Sequence, residues 1–163
     1  MKTKTDKVEA SRVFKEPVMF LAFGFGSGLM PRAPGTAGTL AAIPLYLWFS
    51  QYPLTIYLLL VFLVSVTGIW ICQQASARLG VHDHPGIVWD EFAGFLITMI
   101  PASSSWIWLP AGFVLFRLFD ICKPWPISWA DRRLKGGLGI MLDDVLAGGF
   151  AAVILFIIIG LVG

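Results

Sequence analysis

The chain has 163 residues, of which 57% are hydrophobic and 13% charged, with a formal net charge of +2. A typical soluble domain carries about 25% charged residues, so a soluble globule of this composition would expose far too much apolar surface, and a bilayer is its natural solvent. The same composition argues against a nucleic-acid-binding arm, and the two cysteines, Cys72 and Cys122, lie outside any C-x-x-C and exclude a disulfide framework or zinc spacing.

Residues 1–16 carry Lys2, Lys4, Lys7, Arg12 and Lys15. No apolar run with a small-residue cleavage site follows them, so they read as a basic cytoplasmic tail rather than a signal peptide. The remainder, 17–163, reads as one membrane domain. Its first apolar stretch, 17–30, is too short to span and is expected to lie at or dip into the interface.

The glycine-rich run Gly24-Phe25-Gly26-Ser27-Gly28 is followed by Pro31-Arg32-Ala33-Pro34-Gly35-Thr36. Two readings stand side by side. Backbone N–H groups, the start of a helix near Thr36 and the Arg32 guanidinium form a cradle for an anion. Alternatively, the glycines serve tight packing in a membrane bundle. Residues 35–50 then form a short apolar helix interrupted by Pro44, and Tyr52-Pro53 forms an outer turn. Residues 54–72 are the clearest span, about 28 Å long as a helix.

Charge is confined to residues 1–32, 78–91 and 117–144. This decides the topology of 86–121. A single crossing would place Arg117, Lys123, Arg132, Arg133 and Lys135 opposite Arg78 and the basic tail, against the positive-inside tendency. A hairpin broken at residues 101–105 keeps all of them on one side and puts Trp106 and Trp108 at the outer interface. Residues 145–162 form the last span. The fold class is therefore an all-α integral membrane protein: a compact helical bundle of about four crossings with an inner-face active site.

Four carboxylates adjoin apolar helices in pairs, Asp90-Glu91 and Asp143-Asp144. An acidic first turn is ordinary compensation of the helix dipole. Two adjacent acids also repel unless a cation or proton is near, and hard oxygen ligands of this kind suit Mg²⁺ beside a phosphate. His82 and His84 are metal ligands, nucleophiles or simply hydrogen-bonded loop residues. Arg117, Asp120 and Lys123 follow at i, i+3, i+6. They make either a salt-bridge ladder or a cationic clamp for phosphate, with Asp120 orienting the clamp or ligating metal.

The strings GFGSGLMPRAPGTAGTL, IVWDEFAGF, FRLFDICKPWPI and GGLGIMLDDVLAG, in this order and spacing, closely resemble the phosphatidylglycerophosphatase A family. The resemblance runs from about Phe20 to Gly160. It implies a Mg²⁺-dependent phosphatase of the bacterial cytoplasmic membrane. Such an enzyme converts phosphatidylglycerophosphate to phosphatidylglycerol and inorganic phosphate at the cytoplasmic leaflet. The family's acids fall on Asp90, Glu91, Asp120, Asp143 and Asp144, its lysine on Lys123, and its Pro-Gly-Thr element on Pro34, Gly35 and Thr36. Asp83 matches a further acid before the Asp-Glu motif.

On this basis Asp83, Asp90, Glu91, Asp143 and Asp144 are the expected metal set, and Asp120, Lys123 and Arg117 the expected catalytic set. Ser27, Arg32, Gly35 and Thr36 are the expected substrate contacts. A CDP-alcohol phosphotransferase is the runner-up, but its acidic string is absent. The Pro-Ser-Gly-His element of histidine-based lipid phosphatases is also missing. A divalent-cation carrier needs acids inside the spans, and 33–77, 92–116 and 145–163 have none.

Overall fold

The structure, a computed structural model, describes residues 8–103 and 105–162. Lys2, Lys4 and Lys7 of the basic tail lie outside the described residues. Those described form eight α-helices joined by turns and short 3-10 stretches, and no strand occurs among them.

Two helices dominate. α4 runs Leu54–Leu79 and α8 runs Gly136–Val162, and both are long and apolar enough to cross a membrane, with mean hydropathies of 2.4 and 2.9. Only 22% of each apolar window is buried, so neither is the core helix of a soluble protein. Leu59, Phe62 and Trp70 on α4, with Val153 and Phe156 on α8, point their side chains outward. Such surfaces are stable against lipid rather than water. Both helices extend beyond the spans expected from sequence. α4 passes Cys72 to reach Leu79, and α8 begins at Gly136. Asp143 and Asp144 therefore lie two turns inside α8 rather than opening it.

α3 (Pro34–Phe49) starts with Pro34 in its first turn, where the missing N–H costs nothing, and Pro44 lies within it. The segment 86–121 is a hairpin, as its charges require. α5 (Trp89–Thr98) leads through the 3-10 turns Ile100–Ala102 and Trp106–Trp108 into α6 (Leu109–Cys122). Arg117 near the end of α6 pairs with Glu91 at the start of α5, which fixes the two helices as antiparallel. At the far end the Tyr46 hydroxyl donates to Ala102 O at 2.6 Å, and the Tyr57 hydroxyl to Leu96 O at 2.7 Å. α3 and α4 are thereby tied to the hairpin through its backbone carbonyls.

α1 (Ala10–Lys15) and α2 (Pro17–Ala22) are single short helices, followed by a 3-10 stretch over Gly24–Leu29. Glu16 accepts from Arg12 and from Arg78, so this N-terminal unit is tied to the end of α4. α7 (Ile127–Arg133) links the hairpin to α8.

α5 packs closely on α8, and glycine permits it. A Cβ on Gly148 would collide with Gly94 O. One on Gly94 would lie 2.5 Å from the Phe116 ring and 2.8 Å from Asp144 O. Backbone contact of this kind replaces the hydrophobic drive that lipid cannot supply between helices. Gly149, one residue on, faces open space. Gly148→Ala is therefore expected to lower stability by about 1–3 kcal/mol, read as an earlier unfolding midpoint in detergent. Gly149→Ala meets no neighbour and should leave the midpoint no lower, or raise it, since alanine favours a helix over glycine by up to about 1 kcal/mol.

Candidate active site

The starts of α3, α5 and α8 and the end of α6 converge on one cavity of about 570 Å³. Seven carboxylates line it: Asp83, Asp90, Glu91, Asp120, Asp131, Asp143 and Asp144. Two cations face them, Arg117 and Lys123. Residues 78–91 and 117–144, separate in sequence, thus form one site.

Arg117 is the pivot of one half. Its Nη1 lies 2.5 Å from Glu91 Oε2 and 2.9 Å from Asp120 Oδ2, with all three side chains largely buried. The i, i+3 step from Arg117 to Asp120 places both on the cavity face of α6. Lys123 holds the other half. It takes a left-handed backbone conformation at the end of α6, with φ 42°, and its ammonium pairs with Asp143 Oδ2 and with Asp131 Oδ1. Burial works to lower the Lys123 pKa, but the Asp143 and Asp131 carboxylates outweigh it, and the group stays above the ordinary lysine value and charged.

Glu91 is positioned by two further groups. The buried Thr39 hydroxyl lies 2.9 Å from Glu91 Oε2 and 3.0 Å from Gly35 O, sharing its one proton between them. Gly35 leaves room for the carboxylate: a Cβ there would collide with Glu91 Oε1 and come within 3.1 Å of Arg117 Nη1. Oε2 is thus saturated by Thr39 and Arg117, while Oε1 packs over the first turn of α3.

Charge is not balanced by these pairs. Asp143 Oδ1 and Asp144 Oδ2 are buried and have no hydrogen-bond partner among the described residues. One oxygen each from Glu91, Asp120 and Asp144 lies within 4.8 Å of the others. Converging carboxylates with orphaned buried oxygens are unstable alone. Hard oxygen donors at this spacing fit a divalent cation such as Mg²⁺.

The remaining expected residues are distributed unevenly. Gly35 lines the cavity, together with Ala33 and Pro34. Thr36 follows in the first turn of α3, whose leading N–H groups have no intrahelical partner and receive no side-chain cap from Ala33. Asp83 and His82 are exposed residues of the cavity lining. Arg32 is exposed and is not part of that lining. The Ser27 hydroxyl turns back to Gly24 O at 2.8 Å, and Ser27 borders a separate apolar groove. The glycines around it pack tightly, Gly24 against Phe92 and Val88 and Gly28 against Gly86.

Sequence reasoning missed Thr39 and Asp131. Thr39 carried one signal, a hydroxyl one turn after Gly35 in an otherwise apolar helix. Asp131 carried none, because its partner Lys123 lies in a different element.

An apolar helical bundle whose acid-lined cavity gathers three convergent carboxylates and two cations has the make-up of a membrane enzyme that handles phosphate groups. The chain belongs to the phosphatidylglycerophosphatase A family, whose profile matches residues 20–159. It is 47% identical over 154 residues to phosphatidylglycerophosphatase A of Escherichia coli K12, covering 94% of this chain and 90% of that protein. The Haemophilus influenzae phosphatidylglycerophosphatase A is also 47% identical, over 144 residues, covering 87% and 88%. A Bacteroides thetaiotaomicron protein, provisionally named a phosphatidylinositol-3-phosphatase, is 39% identical over 149 residues, covering 85% and 91%. No solved structure matches the chain significantly.

Thr39→Val removes the hydroxyl at Glu91 without changing volume. It is expected to weaken Mn²⁺ binding about 10-fold or more, the usual cost of losing a group that orients a ligand. The check is a titration followed by electron paramagnetic resonance. Thr39→Ser should restore most of the affinity, and an unchanged affinity in the valine variant removes Thr39 from this role.

Proposed function

We propose that the chain hydrolyses phosphatidylglycerophosphate to phosphatidylglycerol and inorganic phosphate, in a Mg²⁺-dependent reaction. The proposed setting is a bundle of about four crossings in the bacterial cytoplasmic membrane, with the cavity on the cytoplasmic face. One observation carries the reading above the rest: Glu91, Asp120 and Asp144 converge with orphaned carboxylate oxygens beside them, inside a cavity that also holds Arg117 and Lys123. The family and its named relatives supply the substrate.

Glu91, Asp120 and Asp144 would hold the metal, and the chemistry supplied there would be Lewis-acid stabilisation of phosphoryl oxygens. The protein's own groups do the rest. The first turn of α3, at Gly35 and Thr36, presents unpaired N–H groups and the positive end of the helix dipole to the substrate phosphate. Arg117 and Lys123 neutralise charge on the phosphoryl oxygens as the ester bond breaks. Asp143 is anchored through Oδ2 by Lys123, which leaves Oδ1 unpaired to take a proton from the attacking water. Asp120, a member of the expected catalytic set, is held by Arg117 inside the cluster. Its role here is therefore that of a ligand. Asp90 and Asp83 add negative potential at the cavity wall and rim.

Asp144→Asn is expected to lower phosphate release by at least about 100-fold while the protein still inserts into membranes and elutes as a folded species. Phosphate is measured from purified protein in micelles of phosphatidylglycerophosphate. Near wild-type release would take Asp144 out of the site. Treatment with EDTA should abolish release and added Mg²⁺ restore it, and release that persists through chelation overturns the metal requirement. A parallel assay with phosphatidylinositol 3-phosphate separates the two substrates named among the relatives.

A further inference from the structure

Only one face of α7 is packed. Ile127 and Ala130, one turn apart, are fully buried, and the helix lies against α8. Trp129, Arg132 and Arg133 follow one another at i, i+3 and i+4, which gathers them on the opposite face, and all three are exposed. Trp125, in the turn before α7, is 79% exposed, and Trp129 is 50% exposed. Indoles left that open are costly in water and favoured at a membrane interface.

The cations of this face are uncommitted. Arg12 and Arg78 pair with Glu16, Arg117 with Glu91 and Asp120, and Lys123 with Asp131 and Asp143. Arg132, Arg133 and Lys135 make no ion pair with a described residue. The order of residues along the chain is that of a lipid leaflet. Val114, Leu118 and Ile121 form an exposed apolar stripe on α6. The two indoles come next, and the arginines and Lys135 follow. Hydrocarbon, interface and anionic phosphate succeed one another in the same way across half a bilayer. A second copy docked here by two-fold symmetry would instead set these arginines against their own like charges.

We propose that the outer face of α7 and the Trp125 turn before it form a docking surface for anionic phospholipid head groups of the surrounding leaflet. Trp125 and Trp129 sit among the glycerol esters, and Arg132 and Arg133 take the phosphodiester groups. Asp131, on the same helix, lines the acid cavity and pairs with Lys123, so lipids held on α7 stand beside that cavity. The surface rests on the membrane setting proposed above and not on the reaction. On the phosphatase reading it also gathers anionic substrate next to the site.

The test uses the full chain in nanodiscs of dioleoyl phosphatidylcholine with a minor share of phosphatidylglycerol. Two preparations have the same lipid ratio. In one the phosphatidylglycerol is brominated close to its esters, and in the other an equal amount of the phosphatidylcholine is. Quenching of Trp125 and Trp129 is read as the difference between wild type and the variant Trp125→Phe with Trp129→Phe. It should be at least about twofold stronger with brominated phosphatidylglycerol, in line with the attraction of arginines to an anionic surface. Arg132→Gln with Arg133→Gln should remove this preference, and Arg132→Lys with Arg133→Lys should keep most of it. Equal quenching by the two lipids, or a preference that survives in the glutamine pair, overturns the surface. A shift from dimer to monomer in the glutamine pair also overturns it and gives the face to a second copy. Protein that does not enter the discs contradicts the membrane setting, whereas equal quenching in protein that does enter them overturns the surface alone. No turnover enters the measurement, so a failure of the phosphatase reading would not change its result.

Discussion

The meeting of α5 and α8, backbone against backbone at Gly94 and Gly148, is the constraint on which the site depends. Asp90 and Glu91 stand one turn before Gly94, and Asp143 and Asp144 one turn before Gly148. Two helices at ordinary separation, about 8–10 Å, would hold these pairs apart across a layer of side chains. With no side chain at the crossing, the acidic turns come together. The Asp144 carbonyl itself packs where a Gly94 Cβ would be. Fold and chemistry therefore share residues. The contact that holds the bundle together in lipid also brings the carboxylates into range of one another.

Such a gathering is electrostatically costly, and the protein offsets only part of it. Arg117 serves Glu91 and Asp120, and Lys123 serves Asp131 and Asp143. Asp144 has no basic partner among the described ion pairs, and one oxygen of Asp143 is also left over. Breaking or omitting the partner of a buried charge is normally severe. Such oxygens, converging with those of Glu91 and Asp120 in one cavity, suit a divalent cation. Thr39 and Gly35 refine the arrangement by fixing one Glu91 oxygen and making room for the other.

Much of this was legible in the sequence, for identifiable reasons. Charge confined to three blocks required a hairpin over 86–121, and the Arg117–Glu91 pair closes that hairpin. The acids and cations of the cavity stood out because ionic residues are so scarce in this chain. The beginning of α8 was not legible. The run Gly136-Gly137-Leu138-Gly139 has the composition of a loop, yet it is helical because α4 presses against it: a Cβ on Gly137 would strike Ile69 O. Helix propensity is overridden there by packing. Thr39 was hidden for a related reason, since one hydroxyl in an apolar helix has no meaning until its partner, 52 residues away, is known. The run from Gly24 to Gly28 had two readings. Gly24 and Gly28 are in close contact with Val88, Phe92 and Gly86, a relation that no local pattern encodes.

α8 also acts as a ruler. Beyond Asp144 it continues from Val145 to Val162 without a charge, which is about 27 Å at 1.5 Å per residue. The hydrocarbon layer of a bilayer is about 30 Å deep. A helix filling that depth leaves its two carboxylates at the height where phospholipid phosphates lie. In the setting proposed above, a substrate lipid would reach the cluster by sideways diffusion, with its acyl chains in hydrocarbon throughout and no need to lift an amphiphile out of the membrane.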